Sequence, residues 1–182
     1  MLAARDALSD AQRAQASHTI TRLLLDHPRY RSAAVVAAYC SFGSEFDTAA
    51  FIVGALSAGK RLLLPRIDAV SRALRFFQVA NPDTDLVAGV WGIREPDPAR
   101  CTPSDPLAPD FVLVPGLAFS PACERLGYGG GFYDGVLAQL PARSFKAGAA
   151  FSVQLAQRLP LDSWDRRVDA VLTEREQFGV LD

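Results

Sequence analysis

The amino-acid sequence predicts a three-layer α/β domain, Rossmann-like, with a mostly parallel sheet and helices on both faces. The first observation behind this prediction is an alternation along the chain of short apolar runs, which suit buried strands, with longer segments that suit helices. The second is a strand–helix–strand order over residues 35–65, which implies a right-handed parallel crossover. A length of 182 residues, of which 49% are hydrophobic, suits a single domain over residues 1–182.

The first half of the chain supplies the crossover unit. Ser9 and Gln12 have the spacing of a capping box, and His27-Pro28 ends the helix that they open. Gly59 is a typical residue for the end of the second helix. The predicted elements are a helix over 11–26, a strand over 35–40, a helix from Asp47 or Thr48 to Ala58, and a strand over 61–65.

The second half of the chain continues the alternation after a long irregular segment. Residues 81–109 are rich in proline and aspartate and lack a long periodic stretch, which favours a functional excursion over the sheet rather than a linker. The predicted elements are a strand over 74–79, antiparallel at an edge, a central strand over 111–119, a helix from about Tyr133, and strands over 146–151 and 169–172.

Composition and charge favour a cytoplasmic enzyme. The formal net charge is −1, without the strongly basic balance that is typical of nucleic-acid-binding proteins. No apolar run approaches the ~20 residues that cross a bilayer, and the opening residues lack the apolar core of a secretory signal. The 3 cysteines form no Cys-x-x-Cys pair, which favours reduced thiols. We expect a monomer that acts on a small molecule, with no nucleic-acid or membrane partner.

The most informative stretch is residues 125–134, Arg-Leu-Gly-Tyr-Gly-Gly-Gly-Phe-Tyr-Asp, between a predicted strand and a predicted helix. Glycine lets the backbone approach a phosphate closely, and a helix N-terminus favours an anion. Arg125 adds a cation and Asp134 a hard oxygen for Mg²⁺. The order matches neither a Walker A loop nor the dinucleotide fingerprint, since Phe132 replaces the third glycine. A tight turn is the alternative, but a plain turn does not need the flanking polar residues.

Further polar residues follow other predicted strands. In open sheets of this kind ligands bind beyond the carboxyl ends of the strands, so Glu45 and Arg66 are expected to converge with Arg125 and Asp134. Each also has a purely structural interpretation. Glu45 suits a solvated loop acid, Arg66 can pair with Asp68, and Asp134 can cap its helix.

Five blocks of the sequence, taken together, carry a family resemblance. They are Glu45-Phe-Asp-Thr48, Gly59-Lys-Arg-Leu-Leu-Leu-Pro-Arg66, Gly92-Ile-Arg-Glu-Pro96, Val114-Pro-Gly-Leu-Ala-Phe119 with residues 125–134, and Asp165-Arg-Arg-Val-Asp-Ala-Val-Leu-Thr-Glu174. In this order, and over nearly the whole chain, the blocks resemble the 5-formyltetrahydrofolate cyclo-ligase family, also called methenyltetrahydrofolate synthetase.

The resemblance implies an ATP- and Mg²⁺-dependent ligase that closes 5-formyltetrahydrofolate to 5,10-methenyltetrahydrofolate and releases ADP and phosphate. It implies that the formyl oxygen is phosphorylated first and that N10 then attacks the activated carbon. Such chemistry needs positioning and charge neutralisation more than acid–base work. A relative that binds folate without turnover is the alternative. A ligase or kinase-like enzyme for another substrate is a third, against which Glu45 and the 92–96 block argue because they match the folate side.

The resemblance also implies a role for particular residues. The catalytic residues are Arg125 and Asp134. The implied ATP contacts are Arg5, Arg125, Leu126, Gly127, Tyr128, Gly129, Gly130, Gly131, Phe132 and Tyr133. The implied substrate contacts are Cys40, Glu45, Arg66, Tyr128, Gly129, Gly130, Gly131 and Phe132, with Glu45 holding the pterin. Asp134 and Asp169 are the implied Mg²⁺ ligands.

Some of these residues have a second interpretation from their sequence context alone. Asp169 suits a cap or a surface acid beside basic residues, and Cys40 suits a buried apolar thiol. Trp91 and Phe119 can provide stacking walls for the folate or can pack in the core.

The opening of the chain departs from the family pattern. The family begins with a basic Lys/Arg-x-x-Leu-Arg segment, whereas Met1–Ser9 resembles the part just after it, with Arg5 as a later arginine. Each lost charge-assisted phosphate contact costs about 1.5–3 kcal/mol. We therefore expect weaker ATP binding than in a relative that carries the segment, and adding such a segment is expected to restore affinity.

Overall fold

The structure, a computed structural model, describes residues 1–182 apart from 69, 72, 161 and 163. The helices are α1 (Leu2–Asp6), α2 (Asp10–Asp26), α3 (Pro28–Ser32), α4 (Ala49–Ser57), α5 (Pro82–Asp85) and α6 (Phe132–Leu137), with 3-10 turns at Val90–Gly92 and Ser152–Gln154. The strands are β1 (Val35–Ala37), β2 (Arg61–Asp68), β3 (Ala73–Gln78), β4 (Leu86–Ala88), β5 (Arg94–Pro96), β6 (Thr102–Ser104), β7 (Phe111–Val114), β8 (Ala118–Phe119), β9 (Arg125–Leu126), β10 (Phe145–Ala149), β11 (Ala170–Leu172) and β12 (Gln177–Gly179).

The described strands form one large sheet in the order β12-β11-β10-β7-β1-β2-β3-β6, with two small hairpins beside it. The five central strands, from β11 to β2, run parallel, and β12, β3 and β6 are antiparallel additions at the two sides. Numbered along the chain, the parallel strands have the order 2-1-3-4-5. In doubly wound sheets of this order the ligand crevice lies where the order reverses, between β1 and β7.

Both faces of the sheet are buried, which confirms the predicted three layers. Val36 and Leu113 belong to the core that packs against α2, α3 and α4. Their strand neighbours Ala37 and Val112 belong to a second core with α6 and the β8–β9 hairpin on the opposite face. Alternate residues of a strand point to opposite faces, so continuous apolar runs are what such strands require.

The predicted helix ends are largely confirmed. The Ser9 side chain accepts a hydrogen bond from Gln12 N, and the Gln12 side chain accepts one from Ser9 N, so the capping box is present. At α4 the N-cap residue is Thr48, but the side chain that accepts from the first turn is Asp47, 2.9 Å from Ala49 N. No helix among the described residues combines the length and hydropathy that crossing a bilayer requires.

Several strands differ from their predictions. The predicted strand over 111–119 is divided, because Pro115 has no N–H to continue the ladder and 118–119 pair with β9 instead. The strand predicted over 74–79 is antiparallel as expected, but it is not an edge strand, since β6 pairs along its outer side. Three-residue strands such as β6 and β12 are too short for sequence periodicity to indicate them.

Gly148 of β10 provides a test of the packing between the sheet and the β8–β9 hairpin. A Cβ at Gly148 would lie 2.4 Å from the Phe119 ring, which is fully buried. Overpacking of this kind costs about 1–3 kcal/mol, so Gly148→Ala is expected to lower the free energy of unfolding by that amount, measured by urea denaturation.

Gly135→Ala is the matched control for this substitution. A Cβ at Gly135, within α6, meets no heavy atom within 4 Å, and alanine favours helix by up to about 1 kcal/mol. Equal losses of stability in the two variants would contradict the packing explanation.

Candidate functional site

A cavity of about 900 Å³ opens beyond the carboxyl ends of β1, β2 and β7, where the strand order reverses. Its lining comes from segments that are far apart in sequence: the loop after β1, the end of β2, the β4–β5 region, the glycine loop, and Pro160, Asp162, Trp164 and Asp165. The size is within the range of small-molecule sites. The sequence prediction of a site at this edge of the sheet therefore agrees with the geometry.

The glycine loop, residues 127–131, forms one wall of the cavity. Gly129 and Gly131 have φ values of +84° and +67°, in the left-handed region that favours glycine. A Cβ at Gly130 would lie 2.8 Å from the Phe132 ring, so a larger residue there would displace that ring. Within the described part of the chain, no backbone carbonyl accepts from the N–H groups of 129–131. These donors are therefore available to a ligand.

The helix after the loop is shorter than the sequence indicated. It begins at Phe132 and ends at Leu137, whereas the apolar pattern continues to Leu140. A helix of this length has a weak dipole, so the loop N–H groups are the main source of positive potential at this end of the cavity.

Arg125 and Asp134 form a close ion pair at the base of the loop. Arg125 Nη2 donates to Asp134 Oδ1 at 2.6 Å, and Nη1 donates to Pro115 O at 3.2 Å. The Arg125 side chain is 3% exposed and that of Asp134 is 18% exposed. The Arg125 Nε atom is buried and has no hydrogen-bond partner among the described residues. Unpaired buried donors of this kind are rare in folded proteins.

Glu45, Tyr128 and Arg5 form a second polar group at the other end of the loop. The Tyr128 hydroxyl donates to Glu45 Oε1 and accepts from Arg5 Nη1 at 2.7 Å. Phe42 N donates to the second Glu45 oxygen at 3.1 Å. Burial raises the pKa of Glu45, although these hydrogen bonds and Arg5 oppose the effect. Burial, together with the bond to Glu45, raises the pKa of Tyr128 to about 12, so the phenol stays protonated as a donor.

The structure brings most of the predicted ATP contacts together, but it gives Arg5 a different position. Residues 125–133 line the cavity as one continuous stretch. Arg5 is 2% exposed and lies behind Tyr128, where Nε also donates to Ser44 Oγ at 2.9 Å. From this position Arg5 supports the loop from behind rather than lining the cavity.

The predicted substrate residues are divided between the cavity and its surroundings. Glu45 and Cys40 line the cavity, and burial raises the pKa of the Cys40 thiol to about 11, so it remains protonated. Arg66 is outside the described lining. Its Nη1 donates to Pro96 O at 3.0 Å and lies 3.7 Å from Glu95 Oε2, so its ion-pair partner is Glu95 and not Asp68.

The two aromatic residues considered as stacking walls for the folate, Trp91 and Phe119, lie in different environments. Trp91 is 72% exposed and lines the cavity, with a left-handed φ of +58°. A strained backbone at a bulky residue is typical of functional sites. Phe119 is fully buried in the core, where it packs against β10. Trp91 therefore suits a stacking wall, and Phe119 has a packing role.

Asp134 and Asp169 lie at opposite edges of the sheet. Asp169 precedes β11 at the amino end of the strand, and its Oδ2 accepts from Lys146 N and lies 2.8 Å from Lys146 Nζ. The cavity lies at the carboxyl ends. No group of three or more His, Cys, Asp and Glu side chains that could hold a metal occurs in residues 1–68, 70–71, 73–160, 162 and 164–182.

Sequence reasoning missed several cavity residues. Asp165 lines the cavity together with Asp134, whereas sequence analysis selected Asp169 from the same C-terminal block. Trp164 is 64% exposed at the same wall, and Arg94 lines the side formed by β5. Asp165 was detectable as the first residue of a matched block, but its spacing from the other acids did not distinguish it from Asp169.

Comparisons with known proteins agree with this geometry. A sequence model of the 5-formyltetrahydrofolate cyclo-ligase family matches residues 1–174. The 5-formyltetrahydrofolate cyclo-ligase of Escherichia coli (strain K12) is 33% identical over 172 residues, which are 93% of each chain. That of Haemophilus influenzae is 32% identical over 161 residues, 87% of this chain and 85% of the other. The NMR structure of Aquifex aeolicus 5,10-methenyltetrahydrofolate synthetase has a TM-score of 0.85 at 32% identity and covers 98% of this chain and 88% of that one.

Proposed function

The chain belongs to the 5-formyltetrahydrofolate cyclo-ligase family, and we propose that it converts 5-formyltetrahydrofolate to 5,10-methenyltetrahydrofolate with ATP, releasing ADP and phosphate. One observation carries the proposal: a single cavity joins a loop suited to phosphates with a buried carboxylate suited to a pterin. The pterin amino and ring N–H groups offer paired donors, and Glu45 is a matching acceptor. Transfer of a phosphoryl group to the formyl oxygen requires that the phosphate site and the pterin site adjoin each other.

The protein's part in the reaction is positioning and charge neutralisation. The N–H groups of 129–131, which have no backbone acceptor among the described residues, would donate to phosphate oxygens, and Arg125 is a buried cation of the same stretch. Phosphorylation of the formyl oxygen makes the formyl carbon electrophilic, and N10 then closes the ring as phosphate leaves. The raised pKa values of Cys40 and Tyr128 keep both groups neutral, so neither competes as a nucleophile.

Asp134 and Asp165, the two acids that the glycine-loop side and the C-terminal block bring to the cavity, would be the protein ligands of a magnesium ion at this site. Oδ1 of Asp134 is engaged by Arg125, while Oδ2 accepts no hydrogen bond from the described residues. Mg²⁺ commonly takes one or two carboxylates and completes its shell with water and substrate phosphates, so a three-acid cluster is not required. When bound there, the ion would neutralise charge on the phosphates. Asp165 replaces Asp169 in this proposal because Asp165 lines the cavity.

A direct assay tests the proposed function. Protein, 5-formyltetrahydrofolate, MgCl₂ and ATP are mixed, and the methenyl product is followed by its absorbance in the near ultraviolet. Formation of the product only when ATP is present supports the proposal. Binding of the folate without product would instead identify a non-catalytic folate-binding protein, and product formation without ATP would exclude the ligase mechanism.

The environment of Glu45 leads to a prediction about pH. Its folded-state pKa lies above the ordinary value of 4.5, chiefly through burial, so acidification protonates Glu45 earlier than an exposed glutamate. Folate affinity is expected to fall as the pH drops through this raised pKa, because a neutral carboxyl accepts the pterin donors poorly. The stability of the unliganded protein is expected to change in the opposite direction. A carboxyl whose pKa is raised on folding stabilises the folded chain at low pH, and this contribution is lost as the pH rises through the raised pKa.

Glu45→Gln is the matched control for this pH dependence. Folate binding is measured by equilibrium titration from about pH 5 to pH 8. The variant is expected to bind about tenfold to a hundredfold more weakly at the high end of the range, with a nearly flat profile. An unchanged pH profile in Glu45→Gln would assign the titration to another group.

A further inference from the structure

Arg94 is a cavity-lining cation that the proposed mechanism does not use. It is exposed at the start of β5 and belongs to the cavity lining. Its Nη2 donates to Pro82 O at 2.6 Å. This bond holds the side chain in place and uses one of the five N–H donors of the guanidinium. Within the described part of the chain, Arg94 takes part in no ion pair, whereas Arg125, the other lining arginine, is paired with Asp134.

The position of Arg94 separates it from the proposed phosphate and metal end. It lies on the β4–β5 hairpin, directly after the lining residues Trp91 and Ile93. Asp134 lies in α6, directly after the glycine loop, and Asp165 lies between β10 and β11 in the chain.

The surrounding charges indicate what kind of group Arg94 can bind. The described lining contains five carboxylates: Glu45, Glu95, Asp134, Asp162 and Asp165. In a cavity with this excess of negative charge, an anionic part of a ligand needs a cation that is not already neutralised. A guanidinium with unused donors forms bidentate, charge-assisted bonds to a carboxylate. A neutral apolar ring would instead contact Trp91 and Ile93.

We propose that Arg94 binds a carboxylate of the glutamate portion of the folate, and so sets the preference for glutamate-bearing substrates over the corresponding pteroate. This inference rests on the proposed function. With the pterin at Glu45 and the aminobenzoyl ring along Trp91 and Ile93, the glutamate is the remaining anionic part of the substrate. Arg94 is then a specificity-determining residue and takes no part in phosphoryl transfer.

Kinetics with substrates that differ only in the tail test the inference. KM and kcat are measured for 5-formyltetrahydrofolate, for 5-formyltetrahydropteroate, which lacks the glutamate, and for ATP. Arg94→Gln is expected to raise KM for the glutamate-bearing substrate about tenfold to a hundredfold. Its KM values for the pteroate and for ATP are expected to equal those of the unmodified protein. Arg94→Lys, which keeps the charge but loses the fork, is expected to lie between the two.

Arg100→Gln is the matched control. Arg100 also donates to a backbone carbonyl of α5, Thr84 O at 2.8 Å, but it lies outside the described cavity lining. If the effect of Arg94→Gln came from loosening this region, Arg100→Gln would reproduce it. That result overturns the inference, as does an equal rise in KM for the pteroate, a rise for ATP alone, or no change in KM.

A binding measurement keeps this inference separate from the proposed activity. Quenching of tryptophan fluorescence is titrated with the folate and with the pteroate, since Trp91 lines the cavity. Tail-dependent binding that Arg94→Gln abolishes supports the role of Arg94 even if the protein forms no methenyl product. Turnover with tail-independent binding contradicts the role of Arg94 and leaves the proposed function standing.

Discussion

Asp134→Ala is expected to lower kcat by about a hundredfold or more and to reduce the free energy of unfolding by about 3 kcal/mol. The first effect follows from the proposed role of Asp134 as a metal ligand beside the phosphates. The second follows from its ion pair with Arg125, whose side chain is only 3% exposed. Removal of the carboxylate leaves a buried cation without a partner, which costs more than the pair itself contributes. Steady-state kinetics and urea denaturation measure the two effects.

Asp134→Asn separates the two roles of this residue. The amide retains an oxygen that can accept from Arg125, so most of the stability is expected to remain while turnover is still lost. Asp97→Ala is a control for the loss of a more exposed ion pair. Asp97 lies 3.6 Å from Arg100, whose side chain is 59% exposed, and the substitution is expected to cost less than about 1 kcal/mol. Full turnover in Asp134→Asn would show that the carboxylate charge is not needed and that the metal assignment is wrong.

Gly131→Ala is expected to raise KM for ATP about tenfold or more. Gly131 has a φ of +67° immediately before α6, and a non-glycine residue in this region costs about 1–2 kcal/mol. A Cβ there meets no heavy atom within 4 Å, so the backbone conformation, and not a clash, is what alanine disfavours. The loop can relieve the strain by leaving its present conformation, in which the N–H groups of 129–131 have no backbone acceptor among the described residues. Kinetics at varied ATP measure the change.

Gly59→Ala is a closely matched control for Gly131→Ala. Gly59 has a φ of +70°, a Cβ at this position would meet no heavy atom within 4 Å, and the residue lies after α4 outside the described cavity lining. Both variants are expected to lose a similar amount of stability, but only Gly131→Ala is expected to change KM for ATP. An equal kinetic effect in both would indicate a general loss of structure rather than a specific role of the loop.

The fold was accessible from the sequence because its main signals are local. The capping box of Ser9 and Gln12 and the apolar runs of β1 and β7 act through neighbours in the chain, and they correctly indicate the helices and buried strands. The division of the predicted 111–119 strand was less accessible. It depends on pairing between 118–119 and β9, which is a tertiary contact. The short strands β12 and β6 at the two sides of the sheet likewise depend on tertiary contacts, because each forms its hydrogen bonds with a neighbouring strand.

The candidate site shows the same division between local and long-range information. The glycine loop is evident from its composition, and Asp134 lies within the same stretch. The contact of Tyr128 with Glu45 joins residues 83 positions apart, so no spacing rule indicates it. Asp165 and Asp169 belong to one short block, yet only Asp165 reaches the cavity, because the segment runs from the carboxyl edge of the sheet to its amino edge. Sequence alone does not determine where along that path each acid lies.

The assembly of the cavity from distant segments has a thermodynamic consequence. Its lining extends from Tyr39 to Asp165, so unfolding of the chain disperses all of the ligand contacts together. A ligand that binds only the folded chain shifts the folding equilibrium, by about 2.7 kcal/mol at a free concentration a hundred times its Kd. For a domain whose net stability is typically only about 5–15 kcal/mol, bound substrate would then add about a fifth to a half of that amount to the resistance to unfolding. Substrate supply and the lifetime of the folded protein are thereby coupled.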